Sequence, residues 1–523
     1  MRDLTARTPA GVSIDDTIGR DTPLSILLAL GFGLLLGVLT WLLMGRVSLG
    51  AMIIVLAAGV TGALLSFISW RNMALLVTIW LFTMSGFRAF AMIHMPFMPD
   101  VSLERVIAVW IAVLFSVRLI TRRDSVHGPY LLDVLLFVHT LYVLANVTFI
   151  GNPIRMHEWM MSSVSPFIAY LIGKNILRRD GDVRYLLIFF FVMTFYYYVQ
   201  SLGQRYGWDF LVWPKGILDR GGGLWQEGRS RGPFLHPPLF GQVMAMLMLV
   251  QFYFFYRVKR GIWRSLILIS IAASALGIIY TYTRAPWVAA VAGILTMAIL
   301  RPRFRQLTLS LGVIAGMLVF FGNFRLQDER FLQERVETTE TVENRLAAFS
   351  AAVRMWRDHP VLGIGYFNWT KYYWRYQRGE NIPFYGYISR QAARHMTPHD
   401  IYWSRLAEEG LAGMALLVAA FGVGYLRFRR LWREVPERAW LNRDGLAVFA
   451  AIFVSYLVGG AFIDFRYFDL VNAIPYLLAG ILYGYQIPEP DPPVPPYRLW
   501  TPPDHAADAP LASATDGTLP RGG

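Results

Sequence analysis

The sequence predicts an all-α, polytopic membrane protein with about 12–14 transmembrane helices and a large, partly helical periplasmic loop. Hydrophobic residues make up 55% of the 523 residues and charged residues only 16%. The mean hydropathy is +0.42, and apolar runs of about 20 residues, the length that crosses a bilayer as a helix, recur along the chain. A soluble fold is excluded on this composition.

Fourteen apolar segments are long enough, or nearly so, to span the membrane. They lie at about 23–44, 48–69, 73–93, 104–120, 130–149, 162–177, 185–203, 238–256, 265–281, 285–300, 307–321, 410–426, 445–462 and 471–486. The segments at 162–177 and 307–321 are the weak ones, so we expect 12–14 spans. We expect a polar segment over 1–22, a multi-span domain over 23–486 and a proline-rich, disordered tail over 487–523.

The distribution of Lys and Arg predicts the orientation, because short cytoplasmic loops retain positive charge. With the N-terminus inside, the inner loops and termini hold 24 of these residues, and the short outer loops hold 5. Both termini are therefore expected in the cytoplasm. The long loops at 204–237 and 322–409 are then periplasmic. The net charge of +14 is explained by these clusters, so nucleic acid is not expected as a partner.

Several functional classes are excluded by what the sequence lacks. Cysteine is absent, so thiolate nucleophiles, thiolate metal ligands and disulfides are not available. The outer loops contain no Asp-x-Asp pair, which favours chemistry without a metal, since a hard cation needs carboxylate ligands. We expect neither a metal nor a cofactor.

Basic residues and histidines in three outer loops form the candidate site. The sequence GRSRGPFLHPP places Arg229, Arg231 and His236 just before a predicted span, and TYTRAPW places Arg284 at a tight link between two spans. In the last loop, HMTPHD places His399 at the start of another span. Arginine suits diphosphates because its planar fork donates two charge-assisted hydrogen bonds. A neutral histidine can accept a proton from a sugar hydroxyl.

Each of these motifs also has a plainer interpretation. Arginines at membrane interfaces often contact lipid headgroups, and a lone histidine is usually structural. The aromatic and basic run at 371–378 is assigned to the interface, where Trp and Tyr are enriched. The segment ENRLAAFSAAVRMWRDHP predicts an amphipathic helix along the membrane surface, with Leu346, Phe349, Val353 and Trp356 on one stripe. Glu408, Glu409, Gly410 and Gly413 are assigned to a turn from the loop into the next helix.

The order of the motifs resembles that of the O-antigen ligase and polysaccharide polymerase superfamily of bacterial membrane glycosyltransferases. The resemblance covers about residues 225–430. It rests on RGPFLHPP at Arg231, TRAPW at Arg284, HPVLGIGYFNW at 359–369, PHD at 398–400 and EEGLAG at 408–413. Departures are Thr283 where serine is usual, Ala285 and Pro286 after the arginine, and Asp400 where asparagine is usual.

The resemblance implies a metal-independent, inverting transferase of the inner membrane that works on its periplasmic face. Its donor would be an undecaprenyl-diphosphate-linked glycan, its acceptor a hydroxyl of a lipid or glycan, and polysaccharide assembly or export proteins its possible partners. Arg231 and Arg284 would bind the diphosphate, and His399 would deprotonate the acceptor. Substrate binding is further assigned to Arg229, His236, Arg345 and Tyr402.

Two alternatives remain open. Ligase and polymerase differ only in the acceptor, which could also be a protein, as for a protein O-oligosaccharyltransferase. A flippase or transporter of lipid-linked sugars would share the spans and the arginines, but it predicts ionisable residues along a path through the membrane. Apart from Arg88, Asp133 and His139, the predicted spans carry almost none.

Overall fold

The structure is a computed structural model that describes residues 72–85, 92–93, 101–219, 228–321, 340–382, 386–388 and 399–488. The predicted segment 1–22, the first two predicted spans and the proline-rich tail beyond 488 lie outside the described residues. His395 and Pro398 lie outside them as well.

Within these ranges the chain is mostly helical, as the sequence predicts. The helices of at least eight residues are α1 (Met73–Met84), α2 (Leu103–Ile120), α3 (Leu131–Phe149), α4 (Ser165–Asn175), α5 (Asp180–Tyr206), α6 (Pro237–Arg257), α7 (Gly261–Ile279), α8 (Arg284–Leu300), α9 (Pro302–Phe321), α10 (Glu340–Asp358), α11 (Trp369–Tyr376), α12 (Ile401–Glu434), α13 (Arg443–Gly460) and α14 (Asp469–Gly484). Besides shorter helical turns, the described residues form two antiparallel pairs of short strands: β1 (Met92–Ile93) with β2 (Val101–Ser102), and β3 (Glu380–Ile382) with β4 (Gly386–Ile388).

Six of the described helices, α3, α5, α6, α7, α12 and α13, are long and apolar enough to cross a membrane. Three shorter apolar helices, α1, α8 and α14, accompany them. The prediction of an all-α polytopic membrane protein is therefore confirmed. The total of 12–14 spans stays a prediction, because part of the chain is outside the described ranges.

Two of the predicted spans differ from the helices observed. The segment predicted at 73–93 forms a helix only as far as Met84, and Met92–Ile93 are extended in β1. The segment predicted at 162–177 gives an 11-residue helix, α4, preceded by a π-helical turn over Met160–Val164. Pro166 lies in the first turn of α4, where its missing N–H costs no hydrogen bond.

Helix α6 lies at the centre of the bundle. In an 18-residue apolar stretch of α6, 83% of the residues are buried. The sequence from Pro237 to Tyr253 is apolar on nearly every face of the helix, which is the pattern of a helix surrounded by protein. One of its few polar side chains, Gln242, donates a 3.1 Å hydrogen bond from Nε2 to the carbonyl oxygen of Ser455 in α13. The N-terminus of α6 begins directly after His236, so this central helix fixes one candidate residue.

A break in α12 sets the direction of the helix that follows His399. Gly410 has φ 66° and ψ −167°, a conformation that is essentially confined to glycine. The backbone groups freed by the break pair with the preceding loop: Leu411 N donates to Pro360 O at 2.9 Å and Ala412 N to Val361 O at 3.1 Å. The predicted loop-to-helix turn around Gly410 is therefore a kink inside one helix.

The same loop also pairs with backbone carbonyl groups of α12 that precede the break. Ile364 N donates to Ala407 O at 2.9 Å and Gly365 N to Glu408 O at 3.1 Å. Four hydrogen bonds thus replace those that a continuous helix would make, so the buried break leaves these backbone groups satisfied. The motif VLGIG, 361–365, is thus hydrogen-bonded to α12 on both sides of the break.

Helix α10 confirms the predicted helical segment but presents a different face to the protein. The buried face is made of small residues and one methionine, Ala347, Ala348, Ala351, Ala352 and Met355, and it packs against Ile364, Trp369, Tyr373 and Ala407. The predicted stripe lies beside this face, and Phe349 on it is exposed. Small side chains allow the close approach of α10 to its neighbours, whereas the larger apolar side chains remain partly outside the packed face.

Candidate functional site

Arg284 is the first residue of α8 and lies at the exposed tip of the turn that follows α7. The turn is tight: Thr281 N donates to Ile278 O at 3.2 Å, and Tyr282 N donates to Ile279 O at 2.8 Å with Tyr282 in a left-handed conformation. Pro286 in the first turn of α8 is buried and packs closely on α6 at Gly241. Arg284 is thus held at a fixed point of the bundle with its side chain accessible.

Arg229 is attached to this same turn. Its Nε donates a 3.0 Å hydrogen bond to Thr281 O, and its Nη2 donates a 2.6 Å hydrogen bond to Thr283 Oγ1. The adjacent Ser230 continues the connection, because its backbone N–H donates to Tyr280 O at 2.9 Å. The loop before α6 and the turn before α8, which are about 50 residues apart in sequence, therefore form one unit.

Arg231 points to a different neighbour. Its Nη2 donates a 2.9 Å hydrogen bond to Ile217 O, and its backbone N–H donates to Gln204 Oε1 at 2.7 Å. Burial lowers the pKa of the Arg231 guanidinium. Within the described part of the chain, the hydrogen bonds of Arg231 are with Gln204 at the end of α5 and with Ile217, and not with Arg284 or His399.

His236 caps the N-terminal end of α6 and lies close to His399. Burial, reinforced by the positive charge of Arg229 and by His399, lowers the pKa of His236 to about 4. Its ring packs on Phe468, with centroids 5.7 Å apart. His236 is therefore neutral at pH 7 and can offer one ring nitrogen as a donor and the other as an acceptor.

His399 immediately precedes α12. Its neighbour Asp400 caps that helix, because Asp400 Oδ1 accepts hydrogen bonds from Tyr402 N at 2.7 Å and Trp403 N at 2.9 Å. His399 is exposed to solvent, yet enough protein surrounds its imidazole that desolvation is the largest cause lowering the pKa of His399. The positive charge of Arg345 lowers this pKa further, and Asp464 opposes the shift.

Arg345 on α10 connects the histidine end of the site to Arg284. Burial and the charge of Arg284 both lower the pKa of Arg345. Among the described residues, its buried Nε has no hydrogen-bond partner. Each residue in the series Arg284, Arg345, His399, His236 and Arg229 therefore interacts electrostatically with the next.

Tyr402 belongs to the scaffold of α12. Its hydroxyl donates a 2.6 Å hydrogen bond to Leu457 O in α13, and its backbone N–H is engaged by Asp400. The sequence assigned Tyr402 to substrate binding. Its hydroxyl joins two helices, so a substrate contact from that atom would compete with the carbonyl of Leu457, and the assignment stays a prediction.

A buried ionic cluster behind His399 was not predicted as part of the site. Arg466 is 2% exposed, and it binds Asp464 with Nε at 2.9 Å and Nη2 at 2.8 Å while its Nη1 binds Glu408 Oε2 at 2.8 Å. Asp464 acts electrostatically on His399, and burial together with Asp464 raises the pKa of Asp400 to about 6 against its backbone hydrogen bonds. The sequence signal was DFR at 464–466, charged residues between two apolar spans.

A metal site is not formed by the described residues, in which no group of three or more His, Cys, Asp or Glu side chains is placed to hold an ion. The charge of the site comes from guanidinium groups. Together these features define a membrane protein with a cationic site, containing two histidines, in the loops at one end of its helices.

Residues 268–418, from within α7 to within α12, match the family model described as O-antigen ligase. The chain therefore carries an O-antigen ligase-like domain, and the resemblance noted from the sequence is confirmed. The matched range contains Arg284, Arg345 and His399, whereas Arg229, Arg231 and His236 precede it. A search of the curated proteins finds no match to this chain. This domain match supports an enzyme of the ligase or glycosyltransferase type in polysaccharide assembly.

Proposed function

We propose that this enzyme transfers a glycan from an undecaprenyl-diphosphate-linked donor to the hydroxyl of a lipid or glycan acceptor, as an O-antigen ligase or a polysaccharide polymerase. The observation that carries the proposal is the continuous cluster of Arg284, Arg345, His399, His236 and Arg229. It combines cations suited to a diphosphate with two histidines of lowered pKa.

The proposed reaction is a single displacement at the anomeric carbon. The acceptor oxygen forms the new bond to this carbon, and its proton passes to the neutral ring of His399. The bond from the anomeric carbon to the diphosphate oxygen breaks, and the leaving diphosphate takes the electron pair. Attack opposite the leaving group inverts the anomeric configuration.

The arginines stabilise the charge that develops on the leaving diphosphate. Arg284 and Arg345 are the nearest candidates, since the described residues pair neither guanidinium with a carboxylate. The charge of Arg345 also disfavours protonation of His399, so this histidine is held in the form that can accept a proton. We infer that cationic side chains take the place of a metal in this step.

The test is transfer from a synthetic polyprenyl-diphosphate glycan by the purified full-length protein. We expect His399→Ala to abolish transfer, because the proton of the acceptor would have no base. His359→Ala is a matched control, since His359 is an exposed histidine at the end of α10 with no part in the cluster. Equal transfer by both variants would remove His399 from the mechanism.

Transport of the lipid-linked sugar is the competing function. It predicts ionisable groups free to line a path, whereas Asp133 in α3 binds Lys174 at 2.7 Å, and His139 binds Glu409 at 3.3 Å. Because a transferase needs no second compartment, we expect product to form in detergent solution. Movement of the donor across vesicle membranes without any product would favour transport.

The acceptor is addressed by glycan profiling of a strain lacking the gene. Loss of long polymer with single repeat units still attached to the lipid acceptor indicates a polymerase. Accumulation of lipid-linked polymer beside an unmodified lipid core indicates a ligase. Loss of glycan from proteins alone indicates a protein O-oligosaccharyltransferase.

A further inference from the structure

A second cationic cavity lies at the opposite end of the helices from the histidine site. Helix α5 contacts both places: Gln204 near its C-terminal end holds the backbone of Arg231, and Asp182 in its first turn lines the second cavity. Twenty-two residues of helix separate these positions, about 33 Å at 1.5 Å per residue. This matches the thickness of a bilayer core of roughly 30 Å, so the cavity lies near the other membrane surface.

The cavity has a volume of about 490 Å³, within the range of pockets that hold small molecules. It is formed where α1 and α5 begin and where α2 and α4 end. Its charged lining consists of Arg118, Arg123, Asp124, Arg178, Arg179 and Asp182. Four positive charges therefore face two negative ones.

The two carboxylates are already engaged. Asp124 Oδ2 binds Arg118 Nε at 2.6 Å, and Asp182 Oδ2 accepts a 3.0 Å hydrogen bond from the backbone N–H of Arg179. The lining carries a net charge of +2, from four arginines against two carboxylates. Among the described residues, Arg178 Nε is buried and has no hydrogen-bond partner, although its Nη2 contacts His127 Nε2 at 2.6 Å.

Two helix N-termini border the cavity, and the one of α5 is partly neutralised by Asp180 and Asp182 in its first turn. Asn72, the cap of α1, and the first turn of α5 both line the cavity. The first N–H groups of a helix carry partial positive charge and favour anions. Asn175 and Gln486 supply further polar groups to the lining.

We propose that this cavity binds one phosphate-bearing anion, independently of the transferase site. Arginine forks and helix N-termini both suit phosphate oxygens. The position at a membrane surface makes the headgroup of an anionic phospholipid one source of that phosphate, and free phosphate in solution is the other. The chemistry is the same for both, and the experiment separates them.

The experiment uses the purified, delipidated full-length protein. Binding of phosphatidylglycerol and of zwitterionic phosphatidylcholine is measured by native mass spectrometry, and binding of inorganic phosphate by calorimetry. The test variant is Arg123→Ala with Arg179→Ala, two exposed side chains of the lining. At about 1 kcal/mol per arginine, we expect its affinity to fall about 30-fold.

The matched control is Lys259→Ala with Arg260→Ala, which removes two exposed charges between α6 and α7 at the same membrane surface. Binding of phosphatidylglycerol in preference to phosphatidylcholine, lost in the test variant and kept in the control, supports a headgroup site. The same pattern with inorganic phosphate alone supports a free-anion site. Binding of neither ligand, or equal binding by test and control variants, overturns the proposal.

A single variant guards against loss of folding. Arg179→Gln keeps the backbone N–H that binds Asp182 and removes only the charge. We expect an affinity about fivefold lower, with an elution volume in gel filtration equal to that of the unmodified protein. Unchanged affinity in this folded variant would contradict the proposal, as would unchanged affinity in the double variant.

Discussion

His399 and Arg345 show how neighbouring charges set the chemistry of one residue. Burial and Arg345 lower the pKa of His399, and Asp464 opposes them. A base whose pKa is lowered stays neutral down to a more acidic pH than an ordinary histidine. The acid limb of the activity profile is therefore expected below pH 6.5, the ordinary pKa of histidine.

Replacing Arg345 by Gln removes a positive charge that lowers the pKa of His399. We expect the acid limb of kcat/KM to move to higher pH, because the protonated ring becomes easier to form. The measurement is a pH profile of transfer for the variant and the unmodified protein. Arg357→Gln, an exposed arginine in the last turn of the same helix, should leave the limb in place. If the acid limb of kcat/KM stays in place in both variants, Arg345 does not influence the pKa of His399.

Arg231 makes a structural contact that its sequence motif did not predict. Its Nη2 already binds Ile217 O at 2.9 Å, so only the remaining N–H groups of the guanidinium are available to bind a diphosphate. We expect Arg231→Lys to lose most activity, because one ammonium group cannot hold this carbonyl and also form a fork. Full activity in transfer assays would leave Arg231 with a role in holding the loop.

Arg284→Ala provides the comparison, since this exposed side chain has no structural hydrogen bond in the described part of the chain. We expect loss of transfer with unchanged thermal stability. A marked fall in the melting temperature would instead assign Arg284 to the fold. Normal transfer would remove it from the diphosphate site.

At the scale of elements, the kink of α12 depends on a single glycine. A Cβ on Gly410 would overlap the carbonyl group of Val361, and the conformation itself is costly for other residues. We expect Gly410→Ala to destabilise the protein by at least about 1–3 kcal/mol. The measurement is thermal unfolding of the detergent-solubilised protein.

Gly422→Ala in the same helix is the control. A Cβ at Gly422 meets no atom within 4 Å, and alanine favours a helix over glycine by about 0.5–1 kcal/mol. Unchanged or higher stability is therefore expected. Similar stability of the two variants would show that the break at Gly410 is not needed for the fold.

At the scale of the whole molecule, α4 and α14 meet through backbone contacts. A Cβ on Gly480 would overlap Tyr170 O, and one on Gly484 would overlap Lys174 O. Glycines four residues apart let two membrane helices approach this closely. The contact brings together helices separated by almost 300 residues of sequence.

Gly480→Leu is expected to separate these helices and to lower the yield of folded protein. The measurement is the monodisperse fraction after solubilisation, judged by gel filtration. Gly422→Leu is the control, because its position is open. Equal yields would mean that the contact of α4 with α14 adds little to the assembly.

The sequence by itself determined the class of protein and most of the helices. Apolar runs of sufficient length have few alternatives to a membrane helix, since the backbone must satisfy its own hydrogen bonds there. The predicted segments at 104–120, 130–149 and 238–256 accordingly agree with the observed helices α2, α3 and α6 within two residues. The family followed from the order of short motifs around Arg284 and His399, which needs no tertiary structure.

Only the tertiary structure decided which of the candidate residues meet. Arg229, Arg284 and Arg345 lie on three different segments, and their spacing in sequence carries no information about distance. The direction of the Arg231 side chain, the hydrogen bond of the Tyr402 hydroxyl and the pairing of Arg466 with Glu408 depend on contacts between residues 14, 55 and 58 positions apart in the chain. Such contacts arise from packing, which local patterns of hydrophobicity and charge do not encode.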